Sequence, residues 1–232
     1  IPIADPDTME LFLSTKSLHV TPEAIGSEVG TYGVPECGTK FVRQMISDVK
    51  PKNFSDLLKI SGYSHGTDVW LNNAQDLIKE GIPTEDTIST RDDIMNSLIK
   101  RGMEPSMAFK IMEWCRKGKA AKKGFTPEQA EALEKAKIPD FYVKSCRTVQ
   151  YLFPKAHAVA YVISAYRIAY CKVHHPKQFY AAYFTVRAPK FDYTLVRQGK
   201  DYMKRFIKNV YAQGTKASVN DKDTVTYLEL AV

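Results

Sequence analysis

Between Pro154 and Pro176 the chain reads KAHAVAYVISAYRIAYCKVHH, a run without glycine or proline. Such a run is too long for a strand, so it predicts a helix starting near Lys155. Ala158, Val162, Ala165, Ala169 and Val173 then form a stripe of small residues that permits close packing, with Val159, Ile163, Tyr166 and Tyr170 as a bulkier stripe beside it. Both stripes are expected in a core, which makes this the central helix of its surroundings. Its start is unusual: Lys155 and His157 occupy the first turn, where unpaired N–H groups and the helix dipole favour negative charge. Either an anion such as a triphosphate docks there, or Lys155 extends to water and His157 is a satisfied surface residue.

The rest of the chain reads as helix after helix. TPEAIG places Thr21 as N-cap before Pro22 and Glu23; EPSMAFKIMEWCRKGK starts at Pro105 and stops near Gly118; TPEQAEALEKAKIP runs from Thr126 to Pro139. STRDDIMNSLIKRG runs from Ser89 or Thr90 to Gly102, and DYTLVRQGKDYMKRFIKNVYAQG is capped by Asp192 and ends at Gly214, with Gly199 a weak point inside it. His174 and His175 close the long helix ahead of Pro176. No alternating run of useful length suggests a sheet. The expected class is all-α, an irregular multi-helix domain around one long helix.

An apolar fraction of 44% in 232 residues is ample for a core. The first ten residues lack a signal sequence, and no window approaches a membrane span, so a soluble, unexported protein is expected; a start at Ile rather than Met suggests a piece of something longer. Cys37, Cys115, Cys146 and Cys171 are scattered without metal-ligand spacing, so reduced, mostly buried thiols in a cytoplasmic protein are expected and a metal site is not.

The net charge of +7 is unevenly spread. Residues 1–90 carry seven basic and thirteen acidic side chains, residues 91–187 eighteen and eight, and residues 188–232 eight and five. A basic middle suits a polyanion such as nucleic acid, or is an incidental solvated surface. Two boundaries divide the chain: RKGKAAKKGF, residues 116–125, a Lys/Gly-rich connector whose plain reading is a mobile loop, and RAPKFD, residues 187–192, ahead of a helical appendage. In SGYSHGTDVW, Ser64, His65, Gly66 and Thr67 form either a ligand-binding loop or the N-cap of a helix through Trp70.

The segments ISGYSHGTDVW, TRDDIM, EPSMAFKIMEWCRKGK, VQYLFPKAHAVAYVISAYRIAYCKVHHP and FYAAYFTVRA, in this order, closely resemble the fingers region of the PolC-type replicative DNA polymerase III alpha subunit, a C-family polymerase of low-GC Gram-positive bacteria. The opening residues through IPIADPDTMELFLSTKSLHVTPEAIG and GVPECGTKFVRQM extend the resemblance over essentially the whole chain. It implies a fingers core over 1–187 and a C-terminal appendage over 188–232. It also implies template-directed DNA synthesis in the bacterial cytoplasm, with the incoming dNTP and primer-template DNA as ligands and the palm and other polymerase domains as partners. The two Mg²⁺ ions of such an enzyme are held by palm aspartates that have no counterpart here, so the fragment needs no cofactor of its own and is expected to be inactive. Asp5 and Asp7 match a helix entry and are assigned to capping.

By the same resemblance, Ser64, His65 and Gly66 line the nucleotide pocket, Arg91 contacts phosphate or template, and Phe153, Lys155, His157 and Tyr161 form the pocket wall and triphosphate-facing helix. Lys155 is the expected triphosphate stabiliser or proton donor, and Phe153 shapes the base pocket. Arg116, Lys117, Lys119, Lys122 and Lys123 are expected at the DNA backbone, although the connector holding most of them is the least family-like part of the chain. The alternative is a stand-alone basic helical module that binds nucleic acid or acts as a scaffold without catalysis.

Overall fold

A computed structural model describes residues 1–188 and 191–232; the boundary segment 187–192 therefore lies partly outside the described residues. In chain order the α-helices are α1 (Pro6–Leu11), α2 (Pro22–Ile25), α3 (Lys40–Val49), α4 (Phe54–His65), α5 (Gln75–Lys79), α6 (Arg91–Lys100), α7 (Pro105–Arg116) and α8 (Lys119–Lys123). They continue as α9 (Pro127–Lys135), α10 (Asp140–Thr148), α11 (Lys155–His174), α12 (Pro176–Ala182), α13 (Tyr193–Val196), α14 (Lys200–Gln213) and α15 (Val219–Ala231). Among the described residues β structure is limited to an isolated bridge between Thr67 and Tyr151, so the all-α expectation holds.

The chain divides into two compact units, one of residues 44–164 and one of residues 1–43 with 165–232. Local signals explain most helix starts. Thr21 accepts the Ala24 N–H, Thr126 and Gln129 form a reciprocal capping box at α9, and at α6 the Asp93 carboxylate reaches back to accept the Thr90 N–H at 2.9 Å. α11 is the long helix expected, and Ala158, Val162, Ala165 and Ala169 are all buried.

In the unit of residues 44–164, α6 and α7 pack as a pair about a turn at Gly102, burying Ile94, Leu98, Ala108, Ile111 and Met112. Each of the Ile, Leu and Met side chains contributes about 1.5–3 kcal/mol. Tyr63 and Trp70 meet with ring centroids 5.2 Å apart and planes tilted by 37°, and the Tyr63 hydroxyl shares a 2.5 Å hydrogen bond with Thr87.

In the other unit Asp5 caps α1, accepting the Thr8 N–H at 2.8 Å, and its backbone carbonyl accepts the Tyr166 hydroxyl at 2.9 Å. α14 and α15 pack together, and Tyr183, Ala188, Met203, Tyr227 and Leu228 form a small core there.

Four expectations need correction. Ser64 and His65 are not in a loop: α4 continues through both, and the chain leaves the helix at Gly66, whose N–H donates to Gly62 O at 3.2 Å. Nor does Ser64 or Thr67 cap a helix through Trp70; residues 70–74 form a π-type turn entered from Val69 with no side-chain cap. The reason is a long-range pairing, in which Thr67 N–H donates to Tyr151 O and Gln150 N–H returns to Thr67 O, both at 3.0 Å. The connector 116–125 is not a bare loop either. It contains α8, Ala120 is buried, and the Trp114 indole donates to Gly124 O at 2.9 Å. Finally, Gly199 does more than weaken a helix: at φ 89° it separates α13 from α14.

Candidate functional site

In the unit of residues 44–164 the C-terminus of α4 and the N-termini of α6 and α11 meet through named contacts. The His65 ring lies 6.0 Å from Phe153, 5.4 Å from His157 and 5.5 Å from Tyr161, centroid to centroid. Phe153 stacks on His157 at 4.8 Å with ring planes 21° apart, His157 meets Tyr161 at 4.5 Å, and Tyr151 contacts Phe153 edge-on at 5.0 Å. Tyr151 and Tyr161 are exposed and the rings between them partly so, which leaves an aromatic surface facing solvent. The His157 to Tyr161 step is one helical turn, whereas His65 arrives from a helix far away in sequence.

The backbone around this cluster is tightly defined. His65 Nδ1 lies 2.7 Å from Ser61 O, and the Ser64 hydroxyl donates to Ser61 O at 3.0 Å and lies 3.2 Å from His65 Nδ1. A Cβ on Gly66 would fall 2.9 Å from Tyr151 O and still closer to Val69, so the approach of the two segments requires glycine there. Arg91 N–H donates to Phe153 O at 3.1 Å, joining the start of α6 to the residue before Pro154. All eight residues expected at the nucleotide pocket (Ser64, His65, Gly66, Arg91, Phe153, Lys155, His157 and Tyr161) thus belong to three segments that the fold brings together.

Asp92 was not among the expected site residues. Its carboxylate accepts the Lys155 N–H at 2.6 Å across 63 positions of sequence, so the start of α11 already holds a negative group. That bears directly on the cations there: Lys155 and His157 sit in a first turn whose leading N–H is satisfied by a carboxylate. The neighbouring Asp93 acts locally, accepting from Ser89 N–H, Ser89 hydroxyl and Thr90 N–H and pairing with Lys59 at 3.1 Å. Burial alone would push the Asp93 carboxyl up, but Lys59 and those donors outweigh it and hold the pKa below the ordinary value.

The basic residues of 116–123 separate into two groups. Arg116 forms a two-point ion pair with Glu113, and Lys117 reaches the same carboxylate at 3.0 Å. The Arg116 hydrogen bond is the largest influence on Glu113 and, with Lys117, brings its pKa down to about 2. Lys119 lies 4.9 Å from the Trp114 ring centroid, and Lys119, Lys122 and Lys123 are exposed along α8. The exposed trio is therefore better placed for a polyanion than the Arg116–Lys117 pair.

The Asp-x-Asp pair lies at the start of α1, with Asp5 as its N-cap and Asp7 in its first turn. Asp5, the first residue of the Asp-x-Asp pair, is committed to the Thr8 N–H and hydroxyl and lies 2.8 Å from His174 Nε2. Among the described residues no group of three or more His, Cys, Asp or Glu side chains is placed to hold a metal ion. None of the helices among them is long and apolar enough to cross a membrane.

Residues 1–137 match the family model described as the bacterial DNA polymerase III alpha subunit finger domain. Over its full length the chain is 53% identical to a PolC-type DNA polymerase III of Caldanaerobacter subterraneus subsp. tengcongensis, of which it covers 16%. The corresponding values are 53% and 17% for the PolC-type enzyme of Thermotoga maritima, and 52% and 16% for that of Bacillus subtilis. The chain thus spans about one-sixth of the curated relatives it matches. With the family model covering more than half of a chain of all-α class, the protein belongs to the bacterial DNA polymerase III alpha subunit finger-domain family.

Proposed function

We propose that this chain is the part of a bacterial cytoplasmic replicative DNA polymerase that binds the incoming dNTP and part of the templating DNA during template-directed synthesis. Residues 1–187 act as the fingers core and 188–232 as an appendage toward another domain. The observation that carries this reading is the convergence of the His65, Phe153, His157 and Tyr161 rings beside the adjoining starts of α6 and α11, which bear Arg91 and Lys155. Aromatic faces accept a base, while cations next to helix N-termini favour phosphates. The Asp92 carboxylate takes the Lys155 N–H, so the triphosphate is met mainly by side chains, with Lys155 compensating charge or protonating the departing pyrophosphate. Mg²⁺ supplies its chemistry from the palm of the complete enzyme.

The test is Lys155→Ala in a full-length polymerase carrying this chain. Loss of one charged hydrogen bond is expected to lower kcat/KM for dNTP by about tenfold to a hundredfold while DNA affinity stays near wild type. Unchanged dNTP kinetics would remove Lys155 from the triphosphate role.

DNA binding by α8 makes a separate expectation. Replacing Lys119, Lys122 and Lys123 together by Ala should weaken primer-template binding and flatten its dependence on salt. The slope of log K against log salt should fall by about 0.9 for each phosphate that the variant no longer neutralises. Arg116→Ala should change that slope less, because its guanidinium is held by Glu113. Salt-titrated anisotropy with labelled primer-template reads both; equal effects of the two variants would count against the division.

A further inference from the structure

Asp92 lies in the first turn of α6, yet the start of that helix is served by its neighbour: the Asp93 carboxylate accepts the Thr90 N–H and gathers the Ser89 donors and Lys59. Asp92 instead reaches the first residue of a second helix and accepts the Lys155 N–H at 2.6 Å. α11 has no cap of its own in sequence, since the residue before it is Pro154, which has no side-chain oxygen to accept an N–H. A second bond runs the other way, from Arg91 N–H to Phe153 O at 3.1 Å. The two bonds join adjacent residues of one segment to nearly adjacent residues of the other, which sets both the separation and the rotation of the two helix starts. Phe153, Lys155 and His157 all project from the stretch held in this way.

We infer that Asp92 is a positioning residue for nucleotide addition, acting as an N-cap supplied from another helix that sets where Lys155 and His157 point; this rests on the nucleotide reading above. Its carboxylate also opposes the positive ends of two helices. An incoming triphosphate therefore meets the Lys155 and His157 side chains and not the leading amide of α11. The hydrogen-bonding acceptor is what the position requires, more than the charge. Asparagine retains an acceptor oxygen there, whereas alanine does not.

Asp92→Asn and Asp92→Ala in the full-length polymerase separate these features. Asp92→Ala is expected to raise KM for dNTP about tenfold or more with a smaller change in kcat and unchanged primer-template affinity, and Asp92→Asn to restore KM to within about threefold of wild type. Amide hydrogen exchange of a peptide covering residues 153–158 should speed up in Asp92→Ala and remain protected in Asp92→Asn. Exchange reads the cap without any nucleotide. If Lys155→Ala is silent while exchange follows this pattern, the triphosphate reading has failed and the cap stands. If Asp92→Ala leaves exchange or KM unchanged while Lys155→Ala is impaired, the positioning role is wrong. A lower KM in Asp92→Ala, or Asn behaving like Ala in both measurements, also overturns it.

Discussion

Gly62→Ala is expected to destabilise the chain by about 3 kcal/mol, although alanine in a helix interior ordinarily gains about 1 kcal/mol over glycine. Gly62 lies inside α4, and a Cβ built there would sit 2.6 Å from Ser89 O and 2.8 Å from the Ser89 carbonyl carbon. Both neighbours are backbone atoms, so no side chain can swing away. Neither partner is free to retreat. α4 is held by buried Leu57, Leu58, Ile60 and Tyr63, and the Ser89 segment by Asp93, by the Tyr63 to Thr87 bond and by Lys59 Nζ donating to Thr87 O at 2.6 Å. Ser55→Ala, at an exposed position of the same helix, should stay within about 0.5 kcal/mol. Urea unfolding of the two variants decides the matter. A Gly62→Ala chain as stable as wild type would mean that the α4 to Ser89 approach is looser than described. Because α4 ends at His65, a forced shift there should also reach the ring cluster.

Lys172 is expected to make stability rise with pH by about 2 kcal/mol between pH 7 and pH 9. Its side chain is buried, and Nζ donates to Gly30 O and Tyr32 O, both at 2.7 Å, so it has carbonyl partners there in place of a carboxylate. Burial is the main cause that brings its pKa down to about 7, with the positive charge of Arg43 adding to it. The sign follows from proton uptake. Below about pH 7 both states carry the proton and folding bears the full penalty of burying the charge. From there up to the ordinary value of 10.5 the unfolded chain binds the proton and the folded chain does not, so each step in pH favours folding. A neutral amine still donates both hydrogen bonds. Lys172→Met removes the titrating group and leaves two carbonyls without their donor, so the variant should show a flatter profile and fall below wild type at alkaline pH. Chemical denaturation of both chains at pH 7, 8 and 9 measures the difference directly. Parallel profiles would show that Lys172 stays charged when folded.

The sequence by itself determined the helical class and the starts of α2, α6, α7, α9 and α11, because those signals act within a turn or two. Thr21 and Thr126 cap where they stand, prolines open α7 and α9, and the Ala158, Val162, Ala165, Ala169 stripe is buried as its period requires. The order of long motifs determined the family for the same reason: it is carried by contiguous residues, and the finger-domain match over residues 1–137 agrees with it. Tertiary structure decided what depends on partners distant in sequence. Ser64 and His65 belong to α4, and just past its end the chain pairs Thr67 with Tyr151, a bond that no local pattern announces. The connector is ordered because Trp114 reaches Gly124 and Gly118 meets Gln150, whereas lysine and glycine content alone suggests a loop. Asp92 carried the ordinary sequence signature of an acidic first-turn residue; only folding brings it to Lys155, since a short carboxylate has no preferred partner until another helix presents an unsatisfied N–H. Lys172 likewise lies on a helix whose periodicity does not forecast two carbonyls from residues 30 and 32, and its depressed pKa arises from that burial.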